Sequence, residues 1–104
     1  IDKTNYINVE DLKINIRDLK KEDVELRKLP KNTTGVVVEE ILEDSPLKFL
    51  FNNDIIVELQ KKKITSARQF SNLVKEIINK GETTLYLAVY NSSNQRSYIT
   101  VKLK

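Results

Sequence analysis

Few residue types in this sequence could support catalysis. The 104 residues include no histidine and no cysteine, so neither a Ser–His–Asp triad nor a Cys–His pair can form. The same two absences remove the usual general base and most kinds of zinc site. A Ser–Lys dyad is compatible with the composition, but no serine lies in a sequence typical of a strained nucleophile turn. We therefore predict a non-enzymatic chain with no catalytic residues, no metal site and no cofactor.

The acidic pairs and the glycines do not indicate a catalytic or nucleotide-binding site either. Glu39 and Glu40 are adjacent on a predicted strand, and alternation along a strand places adjacent side chains on opposite faces. The sequence has only two glycines, Gly35 and Gly81, so it contains no glycine-rich loop of the kind that binds phosphate. A paired acid–base site and a nucleotide site are therefore not predicted.

The overall composition is typical of one folded domain. A chain of 104 residues buries roughly 65 % of its unfolded surface, which is enough for one modest core. The net charge of +3 is too small and too mixed to indicate nucleic-acid binding, and the lysines at 61–63 are typical of a solvated turn. No apolar run approaches the roughly 18 residues of a membrane span. The polar N-terminus does not resemble a signal peptide, and the absence of methionine indicates a processed or excised piece of a longer protein.

The stretch 53–81 contains the clearest secondary-structure signals. An apolar strand is predicted over 55–59, and a helix over 67–80 follows a basic turn. Ser66 is a favourable N-cap with Gln69 three residues later, which predicts a capping box. Gly81 suits the left-handed position that ends many helices.

The apolar residues of this helix recur over a stripe that is wide enough for two surfaces. The row predicted to face the core comprises Phe70, Leu73 and Ile77. The neighbouring row comprises Ala67, Ser71, Val74 and Ile78. Spacing alone also allows both rows to belong to the core.

The other segments predict a mainly β chain. Alternation or apolar runs indicate strands at 12–17, 36–42, 83–90 and 97–103, and the continuous apolar run at 36–38 predicts a central strand. A short helix is predicted over 20–29, with at most one or two helical turns at 47–51. Residues 1–9 are predicted to be a linker or edge segment, and 91–95 a hairpin loop. Together these elements predict an α+β fold, a bent five- to six-stranded sheet or barrel capped by helices.

Residues 44–73 also follow a specific spaced pattern. It comprises Asp-Ser-Pro at 44–46, Asp-Ile-Ile-Val-Glu-Leu at 54–59, Ile-Thr-Ser at 64–66, Gln-Phe at 69–70 and Leu73. In this pattern the chain resembles the PDZ domains of HtrA/DegP-type (protease Do) serine proteases, most of all the C-terminal one. The resemblance extends over about 9–104. It implies a PDZ-like fold in the circularly permuted bacterial strand order, with the domain at 10–104.

The resemblance also implies a peptide groove. A PDZ domain adds an extended peptide to a sheet edge beside a helix, and loop amides bind the terminal carboxylate. The positions that correspond to the loop and edge strand are Leu12, Lys13, Ile14, Asn15 and Ile16, and the amides of Lys13 and Ile14 would meet the carboxylate. The helix wall would comprise Ala67, Ser71 and Val74. The alternative is that the apolar strand residues simply fill the core.

Two departures from the family pattern bear on peptide binding. Lys13 replaces the glycine of the carboxylate loop, and a side chain there restricts the backbone. Glu10 and Asp11 lie just upstream, where they would repel a carboxylate. We therefore predict weak or undetectable binding of free C-terminal peptides. The apolar residues at 49–51 are predicted either to pack inward or to mark a contact with another subunit.

The resemblance implies a non-catalytic role in protein quality control. The implied partners are peptide or unfolded-protein segments and other domains or subunits of a parent serine protease, without nucleic acid or a membrane span. The implied location is the periplasm, in the cell envelope. The alternative is a purely structural assembly domain that binds no peptide. An open groove between the Ile14 strand and the Val74 helix would favour recognition. A filled groove with an apolar patch elsewhere would favour assembly.

Overall fold

The computed structural model describes residues 6–47, 50–91 and 93–103, which form one antiparallel sheet and two helices. The described strands are β1 (Ile7–Val9), β2 (Ile14–Asp18), β3 (Val36–Ile41), β4 (Ile55–Leu59), β5 (Lys62–Lys63), β6 (Thr84–Tyr90) and β7 (Arg96–Lys102). The helices are α1 (Lys21–Leu26) and α2 (Ala67–Asn79). This mostly antiparallel, PDZ-like architecture confirms the predicted fold class.

The strand order is β1-β2-β3-β4-β6-β7, with β5 paired to β4. The sheet is open, since β1 and β7 form its two ends. β5 and β1 are the strands that the sequence pattern did not resolve. β5 follows a two-residue turn in which Gln60 and Lys61 both have positive φ, 53° and 66°, the geometry of a type I′ hairpin. β1 lies within the segment predicted to be a linker or edge, and it is an edge strand.

Both faces of the sheet are covered at its centre, which explains the continuous apolar run of β3. The larger core lies on the α2 side and includes Val36, Val38 and Phe70. The smaller core lies beneath α1 and includes Val37 together with Val24 and other buried side chains. β3 therefore lies between β2 and β4 with all three valines buried, as predicted for a central strand.

β3 and β4 approach closely at Gly35. A Cβ atom on this residue would collide with the carbonyl oxygen of Ile56 on β4. The glycine therefore allows the two central strands to meet where β3 begins.

The boundary signals of α2 are nearly as predicted. The Ser66 hydroxyl accepts a hydrogen bond from the Gln69 amide at 3.1 Å. The Thr65 amide, one residue before the N-cap, donates a hydrogen bond to the Gln69 side-chain oxygen, so the predicted capping box is shifted by one position. At the other end Gly81 has a φ of 82°, and its amide donates to the Ile78 carbonyl, as in a Schellman motif.

The segment predicted as a short helix at 47–51 is not helical in its described residues. Leu47 and Leu50 are buried, whereas Phe51 is exposed. Phe49, the other aromatic residue of the apolar segment, lies outside the described residues. The described part of the segment therefore packs inward at two positions and outward at one.

Candidate peptide groove

The predicted groove residues meet in one part of the structure. Leu12, Ile14 and Ile16 on the strand side are fully buried. From the helix, Ala67 and Val74 belong to the same apolar cluster. Ser71 is also buried, and Asn15 and Lys13 point outward with partial or full exposure. The structure therefore places the β2 side and the α2 side next to each other, but leaves no accessible apolar floor between them.

The reason is that β1 occupies the groove. β1 runs antiparallel to β2, with Ile7 opposite Ile16 and Val9 opposite Ile14. β1 also contacts α2. Val9 is 3 % exposed and belongs to the main core, against which Ile7 packs. The chain's own strand therefore takes the position that an added peptide strand takes in β-strand addition.

This occupancy changes the predicted division of α2 into a core row and a groove row. Both rows contribute to the core, because β1 covers the groove row. Val74 is fully buried and Ser71 is 8 % exposed. Leu73, predicted to be core, is only partly buried and lines a small surface cavity beside Gln60 and Lys62. The prediction for Leu73 is corrected, since this position lies at the flank of the helix.

The loop that was predicted to bind a carboxylate forms the turn between β1 and β2. The Leu12 amide donates to the Val9 carbonyl at 3.1 Å, and the Lys13 amide donates to the Glu10 carbonyl at 3.2 Å. The Lys13 amide, which the resemblance assigned to a ligand carboxylate, is therefore engaged within the hairpin. Lys13 has a φ of 53°, in the left-handed region that favours glycine. The lysine thus adopts the backbone conformation at some cost in strain.

A buried serine fixes this loop from the far side. The Ser45 hydroxyl donates to the Leu12 carbonyl at 2.6 Å and accepts from the Leu47 amide at 3.0 Å. Ser45 is fully buried, and both of these bonds satisfy its polar atom. The sequence identified Ser45 only as part of the Asp-Ser-Pro motif at 44–46. Its role in anchoring the groove loop depends on a contact 33 residues away along the chain, which local sequence does not reveal.

One end of the groove opens near the start of α2. A cavity of about 520 Å³ lies there, between β1 and the first turn of the helix. Its lining includes Tyr6, Asp18, Lys20 and Arg68. Asp18 accepts a hydrogen bond from the Ala67 amide at 2.6 Å, which joins the end of β2 to the start of α2. A strand longer than β1 would emerge from the groove at this cavity.

The opposite end of the groove is acidic. A cavity of about 380 Å³ next to the loop is lined by Asp11, Asp44 and Glu82, together with Lys13 and apolar residues. The Lys13 ammonium lies 3.5 Å from Asp44, and both side chains are exposed, so solvent weakens the pair. Three carboxylates around one ammonium disfavour an additional carboxylate at this end.

An ion cluster supports the back of β2. The Arg17 guanidinium donates to both carboxylate oxygens of Asp23, at 2.8 and 3.0 Å, and also to Glu39. The hydrogen bonds from Arg17 hold the pKa of Asp23 below its ordinary value. Hydrogen bonding to Asp23 raises the pKa of Arg17, so this guanidinium stays charged. The cluster therefore links β2, α1 and β3 on the side away from the groove.

The described residues give little sign of other kinds of site. Within the described ranges no group of three or more acidic side chains lies close enough to hold a metal ion. In the same ranges neither helix is long and apolar enough to cross a membrane.

Comparisons with known proteins agree with this geometry. No protein-family model matches the chain. Over 89 residues the chain is 28 % identical to serine protease HTRA1 of Xenopus tropicalis, a match that covers 84 % of this chain and 18 % of that protein. Its structure is similar to that of the HtrA-type protease AlgW with a decapeptide, with a TM-score of 0.66 and 22 % sequence identity. The chain therefore has a PDZ-like fold and is similar to HtrA-type proteases.

The matched regions show how much of each relative this PDZ-like domain represents. The structural match covers 88 % of this chain and 27 % of the AlgW chain. The chain therefore spans less than a third of either relative, 27 % of one and 18 % of the other.

Proposed function

We propose that this PDZ-like domain recognises extended peptide segments by strand addition to β2, as a non-catalytic module of an HtrA-type serine protease. The observation that carries the proposal is the antiparallel pairing of β1 with β2 beside α2. In this arrangement the β2 edge and the α2 wall already hold a strand whose alternate side chains, Ile7 and Val9, point into the core. The similar fold of an HtrA-type protease whose structure contains a decapeptide is compatible with a peptide-binding module.

The role within the longer protein follows from the likeness to HtrA-type proteases. The module binds peptide or unfolded-protein segments, contributes regulatory contacts to neighbouring domains or subunits, and acts in protein quality control in the periplasm. We assign catalysis to another part of the parent protein, since neither a Ser–His–Asp triad nor a Cys–His pair can form in this chain. Incubation of the chain with unfolded casein should give no cleavage. Cleavage that a substitution in this chain abolishes would contradict a non-catalytic role.

A second candidate is a purely structural assembly module. The observation that favours it is the same β1 strand, which fills the groove. Exposed aromatic side chains also lie on β6 and β7, at the other end of the sheet from β1, where Tyr86 is 53 % and Tyr98 76 % exposed. In this alternative, the aromatic surface contacts another domain or subunit and the groove never opens.

Nuclear magnetic resonance on the ¹⁵N-labelled chain distinguishes the two functions. A pool of random peptides is titrated, and backbone amide shifts are followed. Peptide recognition predicts concentration-dependent shifts on β2 and the Ala67–Val74 face of α2. Shifts confined to the β6–β7 surface, together with self-association in sedimentation experiments, would favour the assembly module.

A further inference from the structure

β1 has the features of an intramolecular ligand of the groove. Its side chains alternate as those of an added strand do, with Ile7 and Val9 directed to the core and Asn8 directed outward. The Asn8 side chain donates to Asn15 on β2 at 2.7 Å. The Val9 carbonyl accepts a hydrogen bond from the Leu12 amide, which lies next to the Lys13 and Ile14 amides that were predicted to meet a peptide terminus. β1 therefore pairs with β2 along the edge to which a peptide strand would be added.

β1 is held by a shorter ladder than β7, the strand at the other end of the sheet. It pairs with β2 over three residues, whereas β6 and β7 pair over seven. The four-residue loop that joins β1 to β2 contains Lys13 at a positive φ of 53°, so the closed hairpin includes a strained residue. The departure of β1 would leave the order β2-β3-β4-β6-β7 intact, because β1 is at the end of the sheet.

We propose that β1 is a resident ligand that closes the groove, and that a peptide pairs with β2 only after β1 has left. This inference rests on the proposed function, since it assigns the regulation of the same site. It also defines the ligand: an extended segment with β-branched apolar residues at two alternate positions, as at Ile7 and Val9, and a polar residue between them. The apparent affinity for peptide is then the intrinsic affinity multiplied by the fraction of molecules in which β1 has left the groove.

A cross-strand disulfide tests the inference directly. Asn8 and Asn15 are opposite each other in the β1–β2 pair, and directly opposed residues lie about 4.5–5.5 Å apart at Cα, within the disulfide range. The chain has no cysteine, so an Asn8→Cys/Asn15→Cys variant forms one defined disulfide. The probe is a fluorescein-labelled, amidated peptide with the sequence of residues 4–9, Thr-Asn-Tyr-Ile-Asn-Val, followed by fluorescence anisotropy. A probe with both apolar residues replaced by serine is the specificity control.

The oxidised variant, with β1 locked in the groove, should bind the probe at least about tenfold more weakly than the same protein after reduction, as expected if the competent fraction sets the apparent affinity. A Tyr86→Cys/Thr100→Cys variant is the matched control, because these residues are exposed partners in the β6–β7 pair at the other end of the sheet. Its affinity should be the same in both redox states.

A second variant shifts the equilibrium toward the state in which β1 has left the groove. Val9→Asp places a charge at a buried position of β1 and favours the open state. It should bind the probe roughly tenfold or more tightly than the unmodified chain, for the same population reason. Circular dichroism and amide shifts of β6 and β7 establish that the rest of the domain remains folded.

The outcomes separate the inference from the function on which it rests. Equal probe affinity in the oxidised and reduced forms of the Asn8→Cys/Asn15→Cys variant would overturn closure by β1 and leave peptide recognition in place. Absence of binding to the reduced form and to a folded Val9→Asp variant alike would overturn the proposed function itself. Binding to the Val9→Asp variant with little binding to the unmodified chain supports both.

Discussion

The two edges of the sheet are built very differently. β7 pairs with β6 over seven residues and carries exposed or charged side chains, including Arg96, Tyr98 and Lys102, on its outer surface. β1 pairs with β2 over only three residues, yet its inward side chains are buried between β2 and α2. Charged residues on an edge strand discourage pairing with another chain, whereas a short covering strand does not change the edge beneath it. The β7 edge is therefore protected by its own residues, whereas among the described residues the strand that protects the β2 edge is β1.

This difference bears on function. An edge that its own residues protect cannot readily accept a peptide, whereas one that a short strand covers becomes available when the strand leaves. Local opening in proteins favours segments whose loss leaves the rest of the fold paired, and β1 is a three-residue strand at the end of the sheet.

The largest effect is expected at the core that both edges share. Phe70 is fully buried in the cluster that includes Val9 of β1 and Val101 of β7. Phe70→Ala should lower the free energy of unfolding by roughly 3–5 kcal/mol, measured by denaturant titration. Ser71→Ala, one residue away, is the control and should cost less than about 1 kcal/mol, since it removes one hydroxyl. Equal costs would mean that α2 presents a different face to the sheet.

The next prediction compares one valine from each edge. Val101→Ala on β7 should lower the global free energy of unfolding by roughly 2–3 kcal/mol, because the vacated space lies beneath a long, fully paired strand. Val9→Ala on β1 should cost about 1–2 kcal/mol and should mainly speed hydrogen exchange in β1, because that strand can open alone. The measurement is denaturant unfolding combined with amide exchange. A uniform rise in exchange throughout the sheet in both variants would show that β1 and β7 open as one unit.

The sequence predicted most of the helices and strands of the sheet, but it did not predict that β1 covers the edge of β2. α2 and β4 were predicted well because local signals define them, a cap and a left-handed glycine for α2 and an apolar run for β4. β1 was not recognised as a strand because Ile7-Asn8-Val9 is only three residues long and is stabilised by a tertiary pairing rather than by local pattern. The alternation of Ile7 and Val9 before a polar turn was the available signal.

The groove residues were assigned by resemblance, and the structure brings them together. Whether the groove was open could not follow from the same pattern, because an apolar side chain on β2 is equally suited to a peptide or to the chain's own strand. Helical spacing also could not predict that Leu73 lies at the flank of α2, since neighbouring positions around a helix can lie in the core or beside it.

A smaller effect is expected at the outer surface of β7. The Arg96 guanidinium donates to Glu58 at 2.8 Å and lies 5.6 Å from the centre of the Tyr98 ring. Because these contacts are partly exposed to solvent, Arg96→Ala should cost about 1 kcal/mol or less. Thermal unfolding at low and high salt measures the cost, which should decrease as salt screens the ion pair. A loss comparable to that of Val101→Ala would show that the polar surface, not the core, holds this edge.

The smallest effect concerns pH and the back of β2. The pKa of Asp23 is lowered from 3.8 by its hydrogen bonds to Arg17, so the folded state binds this proton less readily than the unfolded state. The stabilisation is therefore present above pH 3.8 and is lost as the pH falls below 3.8 through the lowered pKa. Asp23→Asn should reduce the loss of stability on acidification.

Asp54 provides the control, because burial raises its pKa. Its contribution to the stability of the fold therefore increases, rather than decreases, as the pH falls. Stability curves of Asp23→Asn and Asp54→Asn between neutral and acidic pH should therefore diverge in opposite directions from that of the unmodified chain. Parallel curves for the two variants would contradict this assignment of the acidic groups.

Hydrogen–deuterium exchange with and without an excess of the amidated peptide of residues 4–9 measures whether the peptide takes the place of β1. If the peptide replaces β1, the amides of Ile7–Val9 should lose protection while those of Ile14–Asp18 remain protected by the new strand. The β6 and β7 amides should be unaffected and serve as the internal control. Bound peptide with unchanged protection of Ile7–Val9 would contradict the claim that this strand occupies the peptide site.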